Sequence, residues 1–226
     1  MTPLPTGHGL SQSGKLQMLD IDANRSIDII SIMAEAIAAQ EAYLTKLDST
    51  VGDGDHGVNI TKALQAAVAH IQTLDAPTLA DVWRGTGKVI QNSVGGASGL
   101  LFGAFFIGGA RTMKEKSTLL LPDVAEMIQA GLAAVHKRGK ARPGDKTMVD
   151  ALAPANEAAQ LAVTKNQSLA EALQAIGQAA QAGAESTTEM VARHGRAKFL
   201  GERSRDYQDA GATSMAIMLM AWAELA

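Results

Sequence analysis

The stretch Asp48-Ser49-Thr50-Val51-Gly52-Asp53-Gly54-Asp55-His56-Gly57-Val58-Asn59 separates two runs of helical periodicity and sets three carboxylates within eight residues, interleaved with glycine. Like charges about 4 Å apart repel by roughly 1 kcal/mol in water and about 4 at the effective dielectric of a protein surface. A chain that gathers such charges in a turn implies a cation there. Glycine admits positive φ, so neighbouring side chains can aim at one spot. All-oxygen donors suit a hard ion such as Mg²⁺ or Ca²⁺, and Mg²⁺ completes its shell with water and phosphate oxygens. The helix start after Gly57 attracts phosphate. The spacing alone fits a solvated turn equally well. An EF-hand would need an oxygen ligand at Gly57 and a glutamate at Leu64, and is excluded. No apolar strand runs into Asp53-Gly54-Asp55, which disfavours a phosphotransferase nucleophile.

Outward from this loop the chain reads as helices. From Asn24, the expected N-cap, to about Leu47, the residues Ile30, Ile37 and Leu44 recur seven apart, with Met33 and Leu47 on the same side. A second helix fits Val58 to Thr73, and a third runs from the cap Thr78 to about Ser93. The glycine loop Ser93-Val94-Gly95-Gly96-Ala97-Ser98-Gly99 follows. Its N–H groups suit a phosphate or a base, and a tight turn explains it as well. It is no Walker A loop, because no Gly-Lys-Ser/Thr follows. Leu100 to about Thr112 is apolar nearly all round and is expected to be buried. A fifth helix spans Pro122 to about Lys137. Then comes the basic loop Arg138-Gly139-Lys140-Ala141-Arg142-Pro143-Gly144-Asp145-Lys146-Thr147-Met148-Val149-Asp150, which breaks at Pro143-Gly144 and leads into another helix; it is either a solvated connector or a cover over an anion. Two alanine-rich helices are expected from Asp145 to about Val163 and from Ser168 to about Ala192. A second basic loop surrounds His194-Gly195-Arg196, and Asp209-Ala210-Gly211 opens a last helix that is apolar to Ala223.

No period-2 run marks a strand. The fold class is therefore all-α, an eight-helix antiparallel up-and-down bundle. In such a bundle the junctions after the first, third, fifth and seventh helices share one pole. The aspartate loop, the glycine loop, the Arg138-Gly139-Lys140 loop and the Arg196 loop occupy those four junctions. Carboxylates, glycine N–H groups and arginine at one pole are the parts of a site for a metal-bound nucleotide.

Bulk properties agree. The chain has 226 residues, 46% hydrophobic but only 4% aromatic, so alanine, leucine and methionine must do much of the packing. A net charge of −3 gives no electrostatic case for nucleic acid or an anionic membrane. The absence of cysteine excludes disulfides, thiolate metal sites and thiol catalysis. Residues 1–21 are polar, lack the apolar core of a signal peptide, and read as a flexible tail ahead of a domain from 22 to 226. No apolar run reaches the ~20 residues that span a bilayer, and a cytoplasmic location is expected.

The sequence resembles the ADP-binding L subunits of bacterial dihydroxyacetone kinases. The resemblance rests on Gly52-Asp53-Gly54-Asp55-His56-Gly57, on Ser93 to Gly99, on Arg138-Gly139-Lys140 with Pro143-Gly144-Asp145-Lys146-Thr147-Met148, and on Gly195-Arg196-Ala197 with Leu200-Gly201-Glu202-Arg203-Ser204. It runs from about residue 22 to the C-terminus. It implies an eight-helix barrel with the nucleotide, ADP or ATP, at one end. It implies that Asp48, Asp53 and Asp55 hold two Mg²⁺ ions, and that His56, Gly57, Val58, Asn59, Ala97 and Ser98 contact the nucleotide. It implies further that Gly139 and Met148 line the nucleoside side, that Arg196 reaches the nucleotide, and that Asp209, Ala210 and Gly211 close over it. For His56 a backbone role at the helix start is preferred to a catalytic one. His8, His70, His136 and His194 have no counterpart and read as surface residues. Family members often carry proline where Ala210 stands, which implies a less rigid closing loop.

In the phosphotransferase-system form the resemblance implies bound ADP as a cofactor, rephosphorylated in place by a phosphohistidine protein. The phosphoryl group then passes to dihydroxyacetone held on a separate K subunit, so this chain is expected to be part of a kinase. The alternative is the nucleotide subunit of a split ATP-dependent kinase for dihydroxyacetone or a related ketose such as erythrulose. A third role, through binding to a transcription regulator, is compatible with the first.

Overall fold

The computed structural model describes residues 20–224, and the expected tail lies outside them save for its last two residues. Ile21 within that stretch is core, not tail: it is buried and forms an antiparallel bridge with Leu119, the one strand-like pairing among the described residues. Among the described residues nine α-helices follow: α1 (Ala23–Ala39), α2 (Glu41–Val51), α3 (His56–Ile71), α4 (Leu79–Ser93), α5 (Gly96–Ala110), α6 (Leu121–Gly139), α7 (Met148–Thr164), α8 (Leu169–Ser186) and α9 (Ala210–Ala223).

The expected first helix is split at Gln40, whose φ/ψ of −109°/11° ends α1 while its carbonyl starts α2. Its N-cap is Asp22, which accepts from the Arg25 N–H, rather than Asn24. α4 begins at the expected cap Thr78, in a capping box with Asp81. Gly96 to Gly99, read as loop, already form the first turn of α5. α7 starts at Met148 rather than Asp145, because Thr147 and Asp150 close a capping box there. α8 ends at Ser186 rather than Ala192 and passes into a short 3₁₀ turn at Thr187–Glu189.

Successive helices pack on one another, and α1 closes the ring against α9 while also touching α3 and α4. Short connections between packed neighbours make them antiparallel. The junctions 52–55, 94–95, 140–147 and 187–209 fall at one pole, and those at 72–78, 111–120 and 165–168 at the other. No helix among the described residues is long and apolar enough to cross a membrane.

Trp83, Trp222 and Phe106 stack at the centre of the core, with Trp83 5.7 Å from Phe106 and 5.5 Å from Trp222. Around them alanine and glycine let helices approach closely: a Cβ on Gly57 would lie 2.3 Å from the Glu41 carbonyl oxygen, so α3 rests directly on α2. The Trp83 indole N–H donates to Ser26 Oγ at 3.1 Å, deep between α4 and α1. An indole N–H left without a partner there would carry its full desolvation cost. Ser26→Ala is expected to destabilise the fold by ~1–3 kcal/mol, read as a lowered urea midpoint with an unchanged m-value; an unchanged midpoint would mean the bond contributes nothing.

Candidate functional site

The aspartate loop is short because α2 and α3 are in contact on both sides of it. Gly54 takes φ +76°, a conformation that favours glycine, and a Cβ there would lie 2.6 Å from Ser49 Oγ. The turn brings one carboxylate oxygen of each of Asp48, Asp53 and Asp55 within 4.8 Å of the others. Asp48 is the anchored member: its Oδ2 accepts from the backbone N–H of Asp55 and of His56, at 3.0 and 3.2 Å. Asp53 and Asp55 are exposed. The positive end of α3 faces the three carboxylates. Oxygen-only donors at this spacing, on a glycine turn open to solvent, fit a hard divalent cation completed by water and phosphate.

Opposite stands Arg196, paired with Asp53. The guanidinium is 69% exposed, so the pair adds little stability and serves chiefly to balance charge. Gly95, Gly96, Ala97 and Ser98 form the third wall, and Asp209 and Ala210 the back. The cleft they form is about 220 Å³. A second compartment of about 250 Å³ adjoins it and shares Ala97, Ser98, His194, Gly195 and Asp209. Its wall is largely apolar, from Leu100, Leu101, Phe102, Ala141 and Met148, with Gly139 and Gly211 at the edge. One compartment thus offers carboxylates and a cation, the other a surface suited to a flat apolar ring.

Ten of the expected cofactor contacts sit in these walls: His56, Asn59, Ala97, Ser98, Gly139, Met148, Arg196, Asp209, Ala210 and Gly211. Gly57 and Val58 do not. Gly57 is buried against α2, and only the backbone of these two residues, in the first turn of α3, is oriented toward the pole.

His56 does more than start a helix. Its ring is buried, with Nε2 2.8 Å from Ser214 Oγ on α9 and Nδ1 3.4 Å from Ser98 Oγ on α5. Burial holds its pKa below the ordinary histidine range, against the opposing pull of Asp48 and Asp55. The imidazole therefore ties three walls together as a neutral ring. His194, read as a surface residue, lines both compartments, and its Nε2 lies 3.2 Å from Asp145 Oδ2. His70 and His136 are exposed as expected, and His8 lies outside the described residues.

Two residues the sequence did not single out hold the basic loops in place. Asp145 accepts from the Arg142 N–H at 2.8 Å, and this bond first, then His194 and Arg193, holds its carboxyl below the usual carboxylate range. Lys146 is 1% exposed and buries its ammonium among backbone carbonyls; burial pushes its pKa down, against Asp209 and Asp206. The visible signal for this region was the capping pair Thr147 and Asp150, three residues apart.

The DAK2 domain family matches residues 50–224. The ADP-binding subunit of PEP-dependent dihydroxyacetone kinase from Escherichia coli K12 is 36% identical over 201 residues, 89% of this chain and 96% of that one. The ADP-binding subunit of the PTS-dependent kinase from Lactococcus lactis is 34% identical, over 89% of this chain and 95% of its own. The crystal structure of the dihydroxyacetone kinase from C. freundii in complex with AMP-PNP and Mg²⁺ superposes with a TM-score of 0.69 at 30% identity, covering 99% of this chain. This chain spans 37% of that larger kinase.

Asp209 caps α9, accepting from the Ala212 N–H at 2.8 Å, and desolvation pushes its pKa up to about 6 despite that bond and the nearby Lys146 charge. A carboxyl whose folded pKa is raised binds its proton more tightly when folded, so its contribution to stability falls as pH rises from about 4 to about 6. Asp209→Asn keeps an N-cap acceptor and removes the titration. The variant is expected to lose the part of the pH dependence that wild type shows across that window, measured as urea midpoints on either side of it. Identical pH profiles for the two proteins would show that Asp209 titrates normally.

Proposed function

The chain belongs to the DAK2 domain family, and on that premise we propose that it is the nucleotide-holding subunit of a dihydroxyacetone kinase, carrying ADP as a phosphoryl relay. In this reading a phosphohistidine protein of the phosphotransferase system charges the bound ADP. A separate subunit presents dihydroxyacetone to the resulting γ-phosphoryl, and both meetings take place in the cytoplasm. The support lies in the relatives, which are PEP-dependent and PTS-dependent ADP-binding subunits matched over nearly their whole length. The observation that carries the reading is the pairing of an acidic, arginine-faced cleft with an adjoining apolar compartment at one pole.

The chain's own residues then divide the work. Asp48, fixed by the N–H groups of Asp55 and His56 at the opening of α3, and the exposed carboxylates Asp53 and Asp55 would hold two Mg²⁺ ions. Magnesium held there would neutralise phosphate charge, which with positioning is most of what phosphoryl transfer requires of its site. Arg196 faces the phosphates from the other side as a fork-shaped donor. Gly95 to Ser98 present the opening of α5 to the same anion. Met148, Leu101 and Phe102 offer the base an apolar seat, with Gly139 and Gly211 leaving room beside it.

The test is nucleotide content. Acid denaturation of the purified protein is expected to release near-stoichiometric ADP that survived gel filtration. Asp53→Asn is expected to weaken Mg²⁺–ADP binding by about 100-fold or more, ~2.7 kcal/mol, with unchanged helix content by circular dichroism. ADP retained at wild-type affinity in that variant would remove Asp53 from the metal set. Free exchange of ATP with no retained ADP would favour the split ATP-dependent kinase. Binding of neither nucleotide with Mg²⁺ present would sink the reading.

A further inference from the structure

The longest connection at the site pole runs from Thr187 to Asp209 between α8 and α9 and carries His194, Gly195 and Arg196. Long loops of this kind are held by their own contacts or are not held at all. We propose that the turn at residues 143–147 is the anchor of this loop, and that Lys146 is a positioning residue that ties both ends of it to one ammonium.

Lys146 Nζ donates to the Thr187 carbonyl and to the Tyr207 carbonyl, each at 2.5 Å. These acceptors lie 41 and 61 residues along the chain, at the two ends of the loop. The ends are drawn together in further places: Asp206 N–H donates to the Thr188 carbonyl at 2.8 Å, Asp209 N–H to Thr187 Oγ1 at 2.9 Å, Ala192 N–H to Ser204 Oγ at 2.9 Å, and the Arg205 guanidinium to the Glu189 carbonyl. The preceding residue grips the middle. The Asp145 carbonyl accepts from the Arg193 N–H at 3.1 Å, and its carboxylate meets His194 Nε2 at 3.2 Å. One five-residue turn therefore holds the loop at its base and just ahead of Arg196.

The turn is itself fixed from below. The Asp150 carboxylate on α7 accepts from the N–H of Gly144 and from the N–H of Thr147, and Asp150 is buried. Lys146 takes φ +61°, a left-handed conformation unusual for lysine, and only this bend turns its side chain inward. A buried ammonium is costly unless its donors are satisfied, and a leucine or methionine would fill the space at no such cost. What an apolar side chain cannot do is bind two carbonyls from opposite ends of a loop. Lys146 lies at the edge of the apolar compartment, away from the positions assigned above to the phosphates. It acts through Arg196, by closing the loop on which Arg196 is carried.

The closing experiment uses the full chain, with Lys146→Met, Arg196→Ala and the double variant. The anchor is read without nucleotide, by tryptic cleavage at Arg193, Arg196, Lys198, Arg203 and Arg205 under native conditions. Such cleavage follows the population of the opened loop. Lys146→Met is expected to keep its helix content and cooperative unfolding and to raise the rate of cleavage in this loop by about tenfold or more. Its consequence for ligand rests on the nucleotide reading above. Mg²⁺–ADP should dissociate from Lys146→Met faster by a similar factor, and Arg196→Ala should add little in that background, because one residue acts through the other. Cleavage within twofold of wild type would overturn the anchor, and so would effects of the two substitutions that simply multiply. Increased cleavage in a protein that binds no ADP would support the anchor and refute the nucleotide reading. Should Lys146→Met fail to fold, Asp145→Ala carries the test. It should speed cleavage at Arg193 and Arg196 more than at Arg203 and Arg205, and equal rates at all four would overturn the grip on the loop.

Discussion

Three carboxylates with oxygens inside 4.8 Å of one another repel, and their gathering calls for positive charge beside them. The architecture of this pole answers that requirement. The opening of α3 supplies backbone N–H groups, of which those of Asp55 and His56 hold Asp48. Arg196 supplies a full charge from across the cleft. A divalent ion would supply the rest. The helical barrel is what makes these sources meet, because the start of α3, the start of α5, the end of α6 and the start of α9 must share a pole once neighbours run antiparallel.

The barrel in turn depends on small side chains. α3 lies on α2 at the distance set by Gly57, and α8 on α7 at that set by Gly183, where a Cβ would fall 2.1 Å from the Asp150 carbonyl oxygen. Close helices leave few voids for large rings; Trp83, Trp222 and Phe106 share one central stack, while Phe102 packs against His56 at the site pole. Packing this tight makes the helix ends stiff platforms. Residues on them, such as Asp48, His56, Ser98 and Met148, are fixed as consequences of the fold rather than of local loop structure.

Helices and site pole were legible because both follow from periodicity and parity. Apolar spacing located the helical runs, and counting them put four unrelated loops at one end. What was misread was local or remote. The break at Gln40 was invisible because Ile37 and Leu44 keep their seven-residue spacing across it. The end of α8 at Ser186 was overrun because no glycine or proline marks it, the next glycine being Gly195. His194 and Lys146 looked like solvated basic residues because their partners are far along the chain: 49 residues for His194 to Asp145, and 41 and 61 for Lys146. Local composition cannot show a lysine turned inward by a left-handed backbone.

Those two misreadings share a physical cause. Groups placed by helix ends inherit their positions from packing, and packing leaves a periodic trace. A group carried on a 23-residue connection inherits nothing from the helices around it. The exposed contact between Arg196 and Asp53 is too weak to hold such a segment against its conformational entropy. Order in the loop must come from contacts at its base, where solvent is excluded and hydrogen bonds to a charged donor are strong. Lys146 meets that condition, since its ammonium is buried and both carbonyls it binds belong to the loop's ends. The site thus joins two kinds of wall. Carboxylates and apolar surface are built on rigid helix termini, while the facing arginine rides on a segment tied by a buried cation and by hydrogen bonds between its own ends. That division leaves Arg196 at the mouth of the cleft, exposed and able to follow the charge that enters it.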